Sequence, residues 1–132
     1  MDIKIQIIHA GEFIKSTPSG TLDLKASKEG FALIAKSAEH LRDFTILIDL
    51  REVTSTLTES DLFDLGAHLD TYGNTFDRKT AILLKPDGRI FDVDYFKRVA
   101  RTWGFAIAGF TNFEEAIQWL AAPKYATVEA QR

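Results

Sequence analysis

The chain has 132 residues, a formal net charge of −3 and no cysteine. That length suits one domain, a single sheet under covering helices, and is too short for two independent cores. The charge offers no broad attraction to nucleic acid, and the lack of thiols excludes disulfides, thiol catalysis and thiolate metal sites, a usage that fits an intracellular protein.

The opening MDIKIQIIHAGEF carries acids and alternation where a secretion signal needs a basic start and an unbroken apolar core. No apolar run approaches the roughly 20 residues that cross a bilayer, so a cytoplasmic location is expected, with peripheral membrane attachment as a variant of it. Ile3, Ile5 and Ile7 alternate with Lys4 and Gln6, the period of a strand with one wet face, which suits a sheet edge and leaves pairing across a homodimer open. His9, Ala10, Gly11 and Glu12 turn the chain into a second strand near Phe13 to Thr17, and Pro18, Ser19 and Gly20 are expected to break it before Thr21 to Leu24. From Ser27 the period becomes helical, with Phe31, Ile34, Ala35, Ala38 and Leu41 on one stripe.

Thr45 to Leu50 and Thr80 to Leu84 are apolar without alternating, as in parallel strands buried on both faces. A second helix carries Leu62, Leu65, Gly66, Leu69 and Tyr72 and stops near Gly73 and Asn74; a third carries Tyr95, Phe96, Val99, Ala100 and Trp103 and stops at Gly104. A last strand, Phe105 to Phe110, precedes a helix that turns Phe113, Ala116, Ile117 and Leu120 inward and ends at Pro123. The expected fold class is α/β, a mixed, mainly parallel sheet of about five strands with an N-terminal hairpin and four helices, over a domain of residues 1–122 and a loose tail of 123–132.

Several segments together resemble the SpoIIAA-like family: ILIDLREV at a strand and loop, a helix ending in YG, the strand TAILL, FDVDYFKRVARTWGF, and the closing GFTNFEEAIQWLA. The resemblance implies a fold shared with STAS domains and with the lipid-carrying half of CRAL-TRIO proteins. It brings no enzymatic activity, and implies regulation by protein contact or, alternatively, carriage or sensing of a small apolar, lipid-like ligand. In the anti-sigma-factor antagonists of similar fold, the loop after this strand ends in Asp-Ser-Ser-Gly, whose serine is phosphorylated at a helix start. Here Leu57 stands where that Asp stands, with Thr58, Glu59 and Ser60 following; a hydroxyl is retained at Thr58, and the Asp and Gly are absent.

Loops at the carboxyl ends of parallel strands form the usual ligand edge, which makes Asp49, Arg51, Thr54 and Lys85 candidates for a partner or ligand loop, and Thr58, Ser60 and Ser55 candidates for phosphorylation. Thr58-Glu59-Ser60-Asp61 also reads as a helix N-cap with an acid three residues on, as does Thr111-Asn112-Phe113-Glu114. Asp49 followed later by Lys85-Pro86 echoes a phosphoaccepting receiver domain, yet the first strand lacks the acidic pair that would hold magnesium, so pairing of Asp49 with Arg51, Lys85 or a backbone N–H is expected. His9, His40 and His68 have no zinc spacing, and no nucleophile elbow or phosphate loop is present, so no catalytic residue, metal or cofactor is expected. Lys97, Arg98 and Arg101 with Lys85 and Arg89 could gather into a basic patch, but Asp94 precedes Lys97 and Arg98 at ion-pair spacing. Tyr72, Phe76, Phe91, Tyr95, Phe96 and Trp103 read chiefly as core, with Phe76, Phe91 and Trp103 as candidate walls of an apolar ligand site. A protein partner is the leading expectation.

Overall fold

The computed structural model describes residues 2–86 and 91–123. Strands β1 (Asp2–Ile8) and β2 (Phe13–Leu22) form an antiparallel hairpin, with Ile8 opposite Phe13 and Asp2 opposite Ser19. β3 (Thr45–Asp49), β4 (Val53–Ser55), β5 (Thr80–Leu83) and β6 (Ile107–Phe110) join by parallel pairings. The order is β1-β2-β3-β5-β6, with β4 paired to β2, six strands in all. The four helices are α1 (Leu24–Ala38), α2 (Glu59–His68), α3 (Val93–Thr102) and α4 (Phe113–Ala121).

The unbroken apolar runs of β3 and β5 are explained by cover on both faces. Ile46, Ile48 and Ile82 point to one side, into a core with Phe31 and Ile34 of α1, Leu62 and Leu65 of α2, and Phe96 and Ala100 of α3. Leu47, Ala81 and Leu83 point to the other, against Ala116 and Leu120 of α4. α2 approaches α3 through Gly66, where an added Cβ would collide with Val99.

The structure corrects several expectations. Pro18 does not break β2: the strand pairs with β3 through Ser16 and with β4 from Gly20, so Pro18 lies between two partners, where its missing N–H leaves no ladder bond unmade. β4, inside a hydroxyl-rich connection, has no apolar alternation to announce it. α1 begins at Leu24 rather than Ser27 because Asp23 caps it, its Oδ1 accepting from the Ala26 N–H at 2.8 Å; Leu41 lies beyond its end. α2 tightens into a 3-10 turn, Leu69–Tyr72, and stops at Gly73, whose φ of 65° favours glycine. β6 starts at Ile107, not Phe105. Phe113 is 39% exposed instead of inward, its ring 5.8 Å from Lys15 Nζ. The Asp87-Gly88 turn, Arg89 and the tail from 124 lie outside the described residues.

At the amino-terminal edge of the parallel strands, two adjacent cations tie down helices on opposite faces. Arg78 Nη1 donates to the carbonyls of Leu41 (2.7 Å) and Phe44 (3.1 Å), and its Nη2 to Ala38 (3.3 Å), just past and at the end of α1. Lys79 Nζ donates to the carbonyls of Trp119 and Ala122, both at 2.7 Å, at the end of α4. Helix C-termini carry orphan carbonyls and partial negative charge, which these cations satisfy. Burial lowers the pKa of both, with Asp43 acting in the opposite direction at Arg78.

Candidate interaction site at the carboxyl edge of the sheet

β3 ends in Asp49, and strand alternation places it on the α4 side with Leu47. Its side chain is only 5% exposed. Asp49 Oδ1 accepts from the Arg51 backbone N–H (3.1 Å) and Nε (2.9 Å), and Oδ2 accepts from Arg51 Nη2 (2.8 Å), with Lys15 Nζ at 3.8 Å from the same oxygen. Burial acts to raise the carboxyl pKa, but the hydrogen bonds and charge of Arg51, with Lys15 behind them, outweigh it and hold Asp49 below its ordinary value. The same side-chain bond raises the Arg51 pKa. A carboxylate holding three hydrogen bonds from Arg51, with Lys15 beside its second oxygen, works as an anchor for the turn from Leu50 to Glu52. Of the partners expected for Asp49, Arg51 and a backbone N–H are present; Lys85 is exposed at the end of β5, and Lys15 takes the remaining place.

Beyond this anchor the chain runs through β4, where Thr54 is exposed with its hydroxyl 3.4 Å from that of Thr21. Ser55 Oγ accepts from the Leu57 N–H at 3.1 Å, and Thr58 Oγ1 accepts from the Asp61 N–H at 3.1 Å while Asp61 Oδ2 accepts from the Thr58 N–H at 3.0 Å. The N-cap reading of Thr58 is thus realised as a complete capping box. Of the three candidate hydroxyls, Ser55 and Thr58 are committed to the backbone. Ser60 is exposed in the first turn of α2, and among the described residues its hydroxyl has no hydrogen-bond partner. Phe63, one helical turn further on the same face, is 55% exposed. Sequence reasoning missed Phe63 and Lys15. The signal for Phe63 was its place beside Leu62, off the stripe that Leu62, Leu65 and Leu69 define.

The aromatic candidates separate. Phe91 lines an apolar cavity of about 50 Å³ between the sheet and α1, α2 and α3, with Ile3, Ser16, Gly30, Phe31 and Phe96 among its walls. Phe76 is 1% exposed and packs at 5.2 Å on Phe31 as core, and Trp103 is 48% exposed; neither borders the cavity. The basic residues of α3 do not form the expected ion pairs: among the described residues Asp94 has no partner, and Arg98 lies 5.8 Å from the Tyr95 ring. Among the described residues no cluster of acids and histidines could hold a metal ion, and no helix is long and apolar enough to cross a membrane.

No protein-family model and no curated protein matches the chain. Several solved structures are similar to it. One is an uncharacterised protein of the DUF3478 family with a SpoIIAA-like fold from Shewanella loihica PV-4, at 20% identity and a TM-score of 0.57, covering 90% of this chain and 92% of that one. Another is the anti-sigma factor antagonist SpoIIAA in its unphosphorylated form, at 16% identity and a TM-score of 0.52, covering 92% of this chain and 100% of that one. Nearly the whole length superposes in both, with the hairpin, the parallel strands and the four helices in one domain, so the chain has the SpoIIAA-like fold.

Proposed function

We propose that the chain is a non-catalytic regulatory module whose protein partner reads the first turn of α2, with Ser60 as the residue whose modification switches that contact. The observation that carries this reading is the pairing, on one exposed face at the ligand edge of the fold, of an uncommitted hydroxyl at Ser60 with the exposed ring of Phe63. An exposed aromatic at a helix start supplies the apolar anchor an interface needs, and the hydroxyl beside it supplies the site where charge can be added. A phosphate on Ser60 would face free N–H groups at the helix start, but Glu59 and Asp61 flank it, so the added charge would be repelled locally and would act on the partner. Similarity of fold to an anti-sigma factor antagonist supports a protein partner in general terms.

The test uses the full chain as bait from its own cells, in three forms: unchanged, Phe63→Asp and Ser60→Glu. A stoichiometric partner retained by the unchanged chain and lost by both variants is the expected result. The same partner retained equally by all three refutes the reading, and intact-mass analysis without any phosphate on Ser60 removes the switch while leaving the contact.

A second reading, a carrier or sensor of a small apolar ligand, rests on the cavity beside Phe91. Its volume of about 50 Å³ compares with about 150 Å³ for an engineered cavity that admits benzene, so an acyl chain requires the walls to part. Native mass spectrometry of protein purified without detergent checks it: an added lipid mass supports the carrier, and the bare chain mass sinks it.

A further inference from the structure

β1 is the end strand of the sheet, and among the described residues nothing pairs with its outer side. In its register with β2, Ile3 stands opposite Pro18, which has no N–H to exchange. Antiparallel pairs alternate between bonded and non-bonded, so the bonded set with β2 is Asp2, Lys4, Gln6 and Ile8, and the backbone groups of Ile3, Ile5 and Ile7 point to the open edge. The same three isoleucines stay only partly buried beneath α1. A Cβ added to Gly30 of α1 would stand 3.7 Å from Ile3 Cδ1, ordinary contact distance, and Leu33, three residues on along the same flank of the helix, is 41% exposed.

We infer that this edge pairs with β1 of a second copy of the chain, antiparallel, about a two-fold axis through Ile5. The strand is self-complementary in that register. Ile5 exchanges both backbone bonds with its symmetry mate and Ile3 does so with Ile7, while the apolar row beneath α1 and Leu33 continues across the axis. Lys4 falls opposite Gln6 and Asp2 opposite Ile8, so no like charges face each other. This surface is separate from the α2 face and does not depend on the function proposed for it.

The register makes a signed test available at Gln6. Sedimentation velocity on the full chain from micromolar to submillimolar concentration should show a monomer–dimer equilibrium. Gln6→Lys sets a lysine opposite Lys4 of the mate twice over and should weaken the dimer; Gln6→Glu sets an opposite charge there and should tighten it, each by about two- to thirtyfold in Kd. Lys15, the neighbour of Gln6 within the hairpin, is common to monomer and dimer, and circular dichroism confirms that each variant is folded. A monomer at every concentration, or a dimer whose Kd does not move in opposite directions with the two substitutions, overturns the inference.

Discussion

At the amino-terminal edge of the parallel strands, Arg78 and Lys79 satisfy five carbonyls at and just past the ends of α1 and α4, so these two cations are spent on the chain itself. At the carboxyl edge, Asp49 is likewise tied down, by three hydrogen bonds from Arg51, but the turn it anchors leads to Thr54, Ser60 and Phe63, which stand in solvent. At the first edge the two cations hold helix ends. At the other, a buried carboxylate paired with a half-exposed guanidinium fixes the turn that leads to an open surface.

Substitutions that orphan buried groups should separate the edges most. Arg78→Met strands three carbonyls at once and should lower the unfolding free energy by about 2–4 kcal/mol, against about 1–2 kcal/mol for Lys79→Met, both read as shifts in the urea midpoint at unchanged slope. An Arg78→Met midpoint equal to that of the unchanged chain would show that water replaces the guanidinium freely. Asp49→Asn should cost about 2 kcal/mol at neutral pH, because it removes the charge that Arg51 and Lys15 face. The pH dependence has a fixed sign. The folded carboxyl titrates below the ordinary 3.8, so its contribution is complete above about pH 4 and is lost as the pH falls through the folded pKa. Acid titration of stability should therefore be shallower in Asp49→Asn below about pH 4, and parallel curves for the two proteins would assign the acid sensitivity to other carboxylates.

What could be read along the chain was local or periodic. The runs at β3 and β5, the glycine stops at Gly73 and Gly104, and the cap at Thr58 are each written within a few neighbouring residues; the cap expected at Thr111 falls one residue on, at Asn112, whose Oδ1 accepts from the Glu115 N–H at 3.0 Å. Most of the larger misreadings share one physical origin, a partner supplied from far away. Pro18 looks like a breaker until β3 and β4 are seen to leave it a gap, and β4 exists because β2 offers a ladder to three residues of no strand pattern. Lys15 belongs to Asp49 only across a strand pairing, and Arg78 and Lys79, which no local pattern singles out, find their partners only where two helix ends arrive beside them. At the site, the hydroxyls were legible as a group, but which of them is free was not, since that depends on which backbone N–H groups reach Ser55 and Thr58.

The capping box lies between the two extremes. Thr58→Ala removes one acceptor from the first turn of α2 and should cost about 1 kcal/mol, seen as a lower melting temperature with the fold retained. If partner binding weakens in step with that loss, the contact depends on an ordered helix start; if binding is untouched, the partner tolerates a frayed one.

The smallest effect on stability should accompany the largest effect on recognition. Ser60→Ala and Phe63→Ser alter exposed groups with no hydrogen bond or core contact to lose, so each should change the unfolding free energy by no more than about 0.5 kcal/mol. Phe63 is nevertheless the one large apolar side chain that α2 turns to solvent, and an anchor of that kind is worth about 2 kcal/mol or more in an interface, which is a loss of at least about thirtyfold in affinity. Measured on one partner, Phe63→Ser should thus bind weakly while melting like the unchanged chain, and Arg78→Met, at a temperature where it is still folded, should bind normally while melting early. Equal binding by both would leave the two edges functionally alike and remove the case for recognition at α2.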